Sequence, residues 1–93
     1  MNVNPFSYLI EKRTLQKFTY GYALSPYTKV NGRYTLPAPT DHDYLFATVD
    51  DWSSGGLATS PFTVVFNKSA SNTYCIVGST EPLAVYVAYW YYE

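Results

Sequence analysis

The 93-residue chain predicts an all-β fold: a small antiparallel β-sandwich of about six or seven strands, preceded by a short N-terminal helix or extended arm. Two observations predict it. Residues 82–92 read PLAVYVAYWYY, with no charge, no glycine and no internal proline, and they alternate Leu83, Val85, Val87, Tyr89 and Tyr91 with Ala84, Tyr86, Ala88, Trp90 and Tyr92. Branched and aromatic residues at a period of two are the pattern of a β-strand. Upstream, further short apolar or alternating runs are separated at close intervals by turn residues, the spacing expected of an antiparallel sandwich or barrel. One domain over residues 16–93 follows from the length, with residues 1–15 as helix or docking arm.

In chain order, Asn4-Pro5 offers an N-cap and a first helical residue, and Phe6, Leu9, Ile10 and Arg13 would share a helical face ending near Leu15. An extended arm that docks on a neighbour is the competing expectation. Residues 16–24 (QKFTYGYAL) set Phe18, Tyr20, Tyr22 and Leu24 against Lys17, Thr19, Gly21 and Ala23, a half-buried strand. Ser25-Pro26 ends it. Asn31-Gly32 predicts a tight turn joining 27–30 to 33–36 as a hairpin, and Pro37-Ala38-Pro39 then stops the pairing. A strand is expected over 43–50 (DYLFATVD), followed by a loop through Asp51, Trp52 and Gly55-Gly56. Residues 62–67 and 73–78 form a hairpin around the small polar segment 68–72, and Ser79 to Pro82 turns into the terminal strand.

Composition bears on how such a fold is stabilised. A chain this short buries a modest share of its surface, and small domains commonly add disulfides, metals or oligomerisation. Cys75 is the only cysteine, so no internal disulfide can form, and in TYCIVG it reads as a buried, inert thiol. One cysteine and one histidine make no zinc set, and no cofactor is expected. Association with other chains remains. Charged residues are 14%, below the usual quarter, while aromatics reach 19% and tyrosine alone contributes 11 residues. Tyrosine pairs an apolar body with a polar tip and suits partly wet interfaces. Both flanks of the terminal strand are apolar, so one should face the core and the other a sheet, a helix or another chain. The interface residues expected are therefore Tyr86, Trp90 and Tyr92, or their opposites Tyr89 and Tyr91, in a homo-oligomer.

The net charge of −1 gives no general attraction to nucleic acid or anionic membrane. Its distribution is uneven: Lys12, Arg13, Lys17, Lys29 and Arg33 precede a run of Asp41, Asp43, Asp50 and Asp51. Basic and acidic ends could then meet head to tail between copies, or these could be ordinary solvated loops. The start, NVNPFSYLIEKR after Met1, carries no secretory-leader pattern, and the C-terminal run has the wrong length and period for a membrane helix.

Catalytic motifs are not legible. Asp41-His42-Asp43 and Asp50-Asp51-Trp52 bracket one expected strand, and a straight strand would hold them roughly 20 Å apart. Turn-forming aspartates explain them better than a calcium site lacking its other ligands. His42 has no nucleophile elbow or oxyanion loop to serve, and no phosphate loop, dinucleotide fingerprint or zinc-helix motif is present. A non-enzymatic role is the expectation. The candidate ligand-binding group is Asp50, Asp51 and Trp52, where an indole beside acidic and hydroxyl groups could stack on a sugar ring; Trp52 could equally plug the end of the sandwich.

Over the last half of the chain, the order of DYLFATVD, a variable loop, the FTVVFNKSASNTYCIVG hairpin and a closing AVYVAYW strand resembles the small β-sandwich that ends many bacteriophage tail-fibre and receptor-binding proteins. The layout is similar to that of the H-type lectin domain, which also finishes on an aromatic strand of the type VxWxx. The resemblance implies a trimeric or hexameric assembly that binds surface glycans or docks to other virion proteins. With only about fifteen residues before the first strand, a capsid decoration protein or a small head or tail fitting is the nearest expectation, and the virion its location. A glycan-binding module using Trp52, or a small phage-encoded inhibitor of a host defence enzyme, are the alternatives.

Overall fold

The computed structural model describes residues 13–53, 63–77 and 81–93. These form seven strands and no helix: β1 (Leu15–Ala23), β2 (Lys29–Val30), β3 (Arg33–Pro37), β4 (Phe46–Ser53), β5 (Thr63–Asn67), β6 (Asn72–Ile76) and β7 (Ala84–Tyr92). The helix or arm expected over 1–15 lies, up to residue 12, outside the described residues, and Leu15 already belongs to β1.

All pairings are antiparallel, in two sheets. Sheet A is three-stranded, in the order β1-β7-β4, and sheet B four-stranded, in the order β2-β3-β6-β5. The terminal strand therefore does not close an edge. It is the centre of sheet A, paired on both sides, and that is where a run without charge or glycine belongs. Backbone bonds extend its pairing at both ends: Leu83 N–H donates to Ser53 O and Leu24 N–H to Leu83 O, while Leu45 N–H donates to Trp90 O and Glu93 N–H to Thr14 O.

Turn chemistry accounts for both hairpins of sheet B. Asn31 and Gly32 both take positive φ (52° and 76°), the conformation of a two-residue hairpin turn whose twist matches the strands. Gly32 O also accepts from Val77 N–H at 2.8 Å, so the turn is tied to the end of β6. At the β5–β6 hairpin Asn67 pairs with Asn72 and the left-handed residue is Ser71 (φ 54°).

The core lies between the sheets. Sheet A contributes Tyr22, Ala47, Val85, Val87 and Tyr89, and sheet B contributes Tyr34, Leu36, Val64 and Cys75; Leu24, Tyr44 and Val77 fill in from connecting segments. Two rings pack on Tyr89, Phe66 edge-on at 6.2 Å and Tyr44 tilted at 5.7 Å between centroids. One polar joint crosses this core. The Tyr22 hydroxyl donates to Pro37 O and lies 2.8 Å from the Tyr89 hydroxyl. Burial pushes both phenols above their ordinary pKa, and so also for Tyr44, whose hydroxyl donates to Asp41 Oδ1. Thr73 is fully buried beside them, its hydroxyl without a normal hydrogen-bond partner among the described residues.

Two expectations need correcting. β4 begins at Phe46 and runs on through Asp51, Trp52 and Ser53, which were expected in a loop. The reason is a bulge: the register against β7 slips between Val49 and Asp51, so the extra residue Asp50 is absorbed and pairing resumes at Asp51–Tyr86. Nor does Gln16–Leu24 bury one whole face. Tyr22 and Leu24 are core, but Phe18 and Tyr20, on the same side, are 40% and 49% exposed.

Candidate functional site: an aromatic sheet face

Strand alternation decides which side of β7 looks outward. Val85, Val87 and Tyr89 are fully buried, and Tyr91 packs against their cluster. Tyr86, Trp90 and Tyr92 therefore occupy the opposite side. Of the interface residues expected from sequence, Tyr89 is thereby removed: it is a core residue with no exposed surface. Tyr91 is likewise on the inner side, where His42 stacks on it with centroids 4.0 Å apart.

Register assembles the outer face around the remaining three. Trp90 is flanked by Lys17 on β1 and Phe46 on β4, Tyr92 by Leu15, Ala88 by Thr19 and Thr48, and Tyr86 by Gly21 and Asp51. The Phe46 and Trp90 rings stack nearly parallel, 18° apart with centroids at 5.8 Å. The Trp90 indole N–H donates to Thr48 Oγ1 at 2.9 Å, which holds the ring flat across the sheet. Cations cover the rim: Lys17 Nζ lies 5.7 Å from the Trp90 ring and the Arg13 guanidinium 4.8 Å from Tyr92. At the other end the Tyr86 ring lies on Gly21, where a Cβ would meet ring atoms at 2.7 and 2.9 Å. Glycine is what lets this ring lie down. Between the two aromatic lobes, Trp90 and Tyr86 being roughly 13 Å apart along the strand, sits Ala88, which is buried beneath its neighbours.

The face remains substantially open. Leu15, Phe46, Tyr86 and Tyr92 each keep 40–43% of their surface exposed. Partly exposed rings with a polar and charged rim are a composition that protein–protein contacts share. Each ring is already more than half covered by its own sheet, however. A partner would gain roughly 60–100 Å² per ring, not the 150–250 Å² of a whole aromatic side chain. About 800 Å² per partner, the standard interface, therefore requires the polar rim as well.

The expected ligand-binding group is dispersed by the bulge. Asp50 turns to the outer face, where it receives Lys17 Nζ and the Thr19 hydroxyl, each at 3.4 Å. Asp51 Oδ1 accepts the Trp52 backbone N–H at 2.8 Å. Trp52 pairs with Val85 on the inner side and is 39% exposed. Of the basic and acidic groups read from the sequence, Lys17 meets Asp50 within the protomer, while Lys29 meets Glu81 and Asp43 meets Lys68. Cys75 is buried, and desolvation pushes its thiol up to about 11, away from the reactive range. Among the described residues no three His, Cys, Asp or Glu side chains gather where a metal ion could sit, and no helix is long and apolar enough to cross a membrane.

Comparison with protein-family models, with curated proteins and with solved structures finds no match for this chain. The functional reading therefore rests on the geometry. Sequence reasoning missed Leu15, Phe46 and Gly21 as members of the outer face. Each sits on a strand whose own pattern is unremarkable, and only the register against β7 brings them beside Trp90, Tyr92 and Tyr86.

Proposed function

We propose that this protein is a non-catalytic structural or adhesive component that associates with copies of itself through the outer face of sheet A. The single observation behind this reading is the stacked Phe46–Trp90 pair with Tyr92, Leu15 and Tyr86 left partly bare on one sheet face. Rings held flat by Thr48 and Gly21 lose little conformational freedom on contact, which favours association over transient stickiness. The layout of the last half of the chain makes a bacteriophage particle the natural setting, with the protein as a capsid decoration or a head, tail or fibre component bound to its neighbours in the virion.

Sedimentation velocity on three variants tests the reading. Trp90→Ala removes the central ring but also its stack on Phe46 within the protomer. Tyr86→Ser and Tyr92→Ser remove rings that are more than 40% exposed and leave the core intact. The expected result is a lower mass for all three with native circular dichroism. Folded variants of unchanged mass contradict the assignment of this face.

A further inference from the structure

The inner side of β1 carries a second feature that self-association through the outer face does not use. Where sheet B ends, Phe18 and Tyr20 project past the core and, with Tyr22, Tyr27, Pro37 and Asp41, line an open cleft of about 340 Å³. That is within the size range of small-ligand sites. Its rings run in sequence: Phe18 to Tyr20 at 6.3 Å, Tyr20 to Tyr22 at 4.7 Å and Tyr22 to Tyr27 at 6.3 Å between centroids. Their planes are turned by 36°, 48° and 77° from one ring to the next. Together they form a concave wall rather than a single flat platform.

One charged side chain lines this cleft. Asp41 is held in place from behind, its Oδ1 accepting from the Tyr44 hydroxyl at 2.7 Å and its Oδ2 lying 3.2 Å from His42 Nδ1. The Tyr44 bond holds the carboxyl below its usual pKa, so it is ionised at neutral pH. Among the described residues lining the cleft there is no Lys or Arg to neutralise it. The Tyr22 hydroxyl is turned inward to Pro37 and Tyr89 and offers the cleft its ring rather than its polar tip.

We infer that this cleft is a binding site for an organic cation, a quaternary or alkylated ammonium group of the choline type. Such a cation is weakly hydrated, and it is attracted to aromatic faces within about 6 Å of the ring centroid. The ring spacings allow it to sit within that distance of two or three rings at once, with the Asp41 carboxylate supplying the counter-charge. A sugar would require one flat stacking face and several directional hydrogen-bonding groups. Here the rings are mutually tilted and Tyr22 has no polar tip to give. An anionic ligand would meet Asp41 with no Lys or Arg among the described lining residues to offset it.

The test is a titration of the full-length protein with choline chloride, followed by backbone amide chemical shifts. Sodium chloride at equal ionic strength serves as control, and 3,3-dimethylbutan-1-ol as the uncharged mimic of the same shape. Saturable shifts confined to Phe18, Tyr20, Tyr22, Tyr27 and Ala38 are expected. The uncharged mimic should bind about tenfold more weakly or worse, since it loses both the attraction to the rings and that to the carboxylate. Tyr20→Ala should weaken choline about two- to fivefold, the share of one partly exposed ring. Asp41→Asn should weaken it comparably while still accepting the Tyr44 bond, which covers the case in which Tyr20→Ala fails to fold. Shifts that do not saturate, equal affinity for the uncharged mimic, unchanged affinity in both variants, or tighter saturation by a monosaccharide would each overturn the inference.

Discussion

The Tyr22–Tyr89 joint is the polar contact on the buried side of β7, and its two hydroxyls should not be equivalent. Tyr22 has one proton, and the Pro37 carbonyl can only accept, so Tyr22 donates to Pro37 and Tyr89 donates to Tyr22. Tyr22→Phe therefore removes two hydrogen bonds and leaves the buried Tyr89 phenol without the acceptor it donates to, while the Pro37 carbonyl, on an exposed residue, can turn to water. Tyr89→Phe removes the bond that Tyr22 accepts, together with the weak contact to the Thr73 hydroxyl, and leaves the Tyr22–Pro37 bond standing. A net hydrogen bond contributes about 1 kcal/mol, and an orphaned buried polar group costs about 1–3 kcal/mol. Tyr22→Phe should then destabilise by about 2–3 kcal/mol and Tyr89→Phe by about 1 kcal/mol. For a domain of this size these correspond to drops in Tm of about 10–20 °C and about 5 °C. Thermal melts at equal protein concentration, followed by far-ultraviolet circular dichroism, read the difference directly. Equal losses, or a larger loss for Tyr89→Phe, would refute the donor order. If neither variant loses stability, the joint does not help to hold the Tyr89 side in the core.

Other predictions concern the glycine under Tyr86 and the buried acids. Gly21→Ala should leave Tm within a few degrees of the wild type, because the Tyr86 ring is the outer part of an exposed side chain and can swing away; it should nevertheless weaken self-association in sedimentation, and unchanged association would detach Tyr86 from the contact. Alkaline pH should unfold the protein. Cys75, Tyr22, Tyr44 and Tyr89 all hold their protons more tightly when folded, so the unfolded chain ionises first and stability is fully present below about pH 9, the ordinary thiol value. It should then fall through pH 9–11 as the thiol and, from about pH 10, the phenols are drawn off, and urea midpoints at pH 8, 10 and 11 that do not decline would contradict this. At pH 8 in buffer the Cys75 thiol should resist a chromogenic disulfide reagent and react fully in denaturing urea, whereas rapid reaction of the native protein would show that the thiol is not enclosed.

Much of the fold was legible in the chain, because strand period and turn chemistry are local. The alternation of residues 83–92 identified β7, Asn31-Gly32 fixed the β2–β3 turn, and the polar stretch after Asn67 marked the β5–β6 hairpin. Position within the sheet was less legible. That β7 is central, with β1 and β4 on either side, depends on pairing between segments more than 30 residues apart, which no local pattern encodes. The bulge at Asp50 shows the same limit more sharply. Asp51 and Trp52 ahead of paired glycines read as a loop, yet one slipped register keeps both paired to β7 and sends Asp50 to Lys17. The outer face was half visible: alternation alone groups Tyr86, Trp90 and Tyr92 on one side of the strand, while Phe46 and Leu15 join them only through register. Alternation could not choose between that trio and Tyr89 with Tyr91, since both sides of the strand are equally apolar. The choice is made by what lies across the interior, the Phe66 and Tyr44 rings and the Tyr22 hydroxyl.

Sedimentation equilibrium of the unmodified protein, run across a range of concentrations at moderate salt, bears most directly on whether the Trp90 face is a contact between copies. The predicted result is a species of at least twice the 10.5 kDa chain mass that persists on dilution and shifts toward the single chain in Tyr92→Ser. A species of one chain mass at every concentration, with the Trp90 indole still open to a soluble quencher, would contradict it.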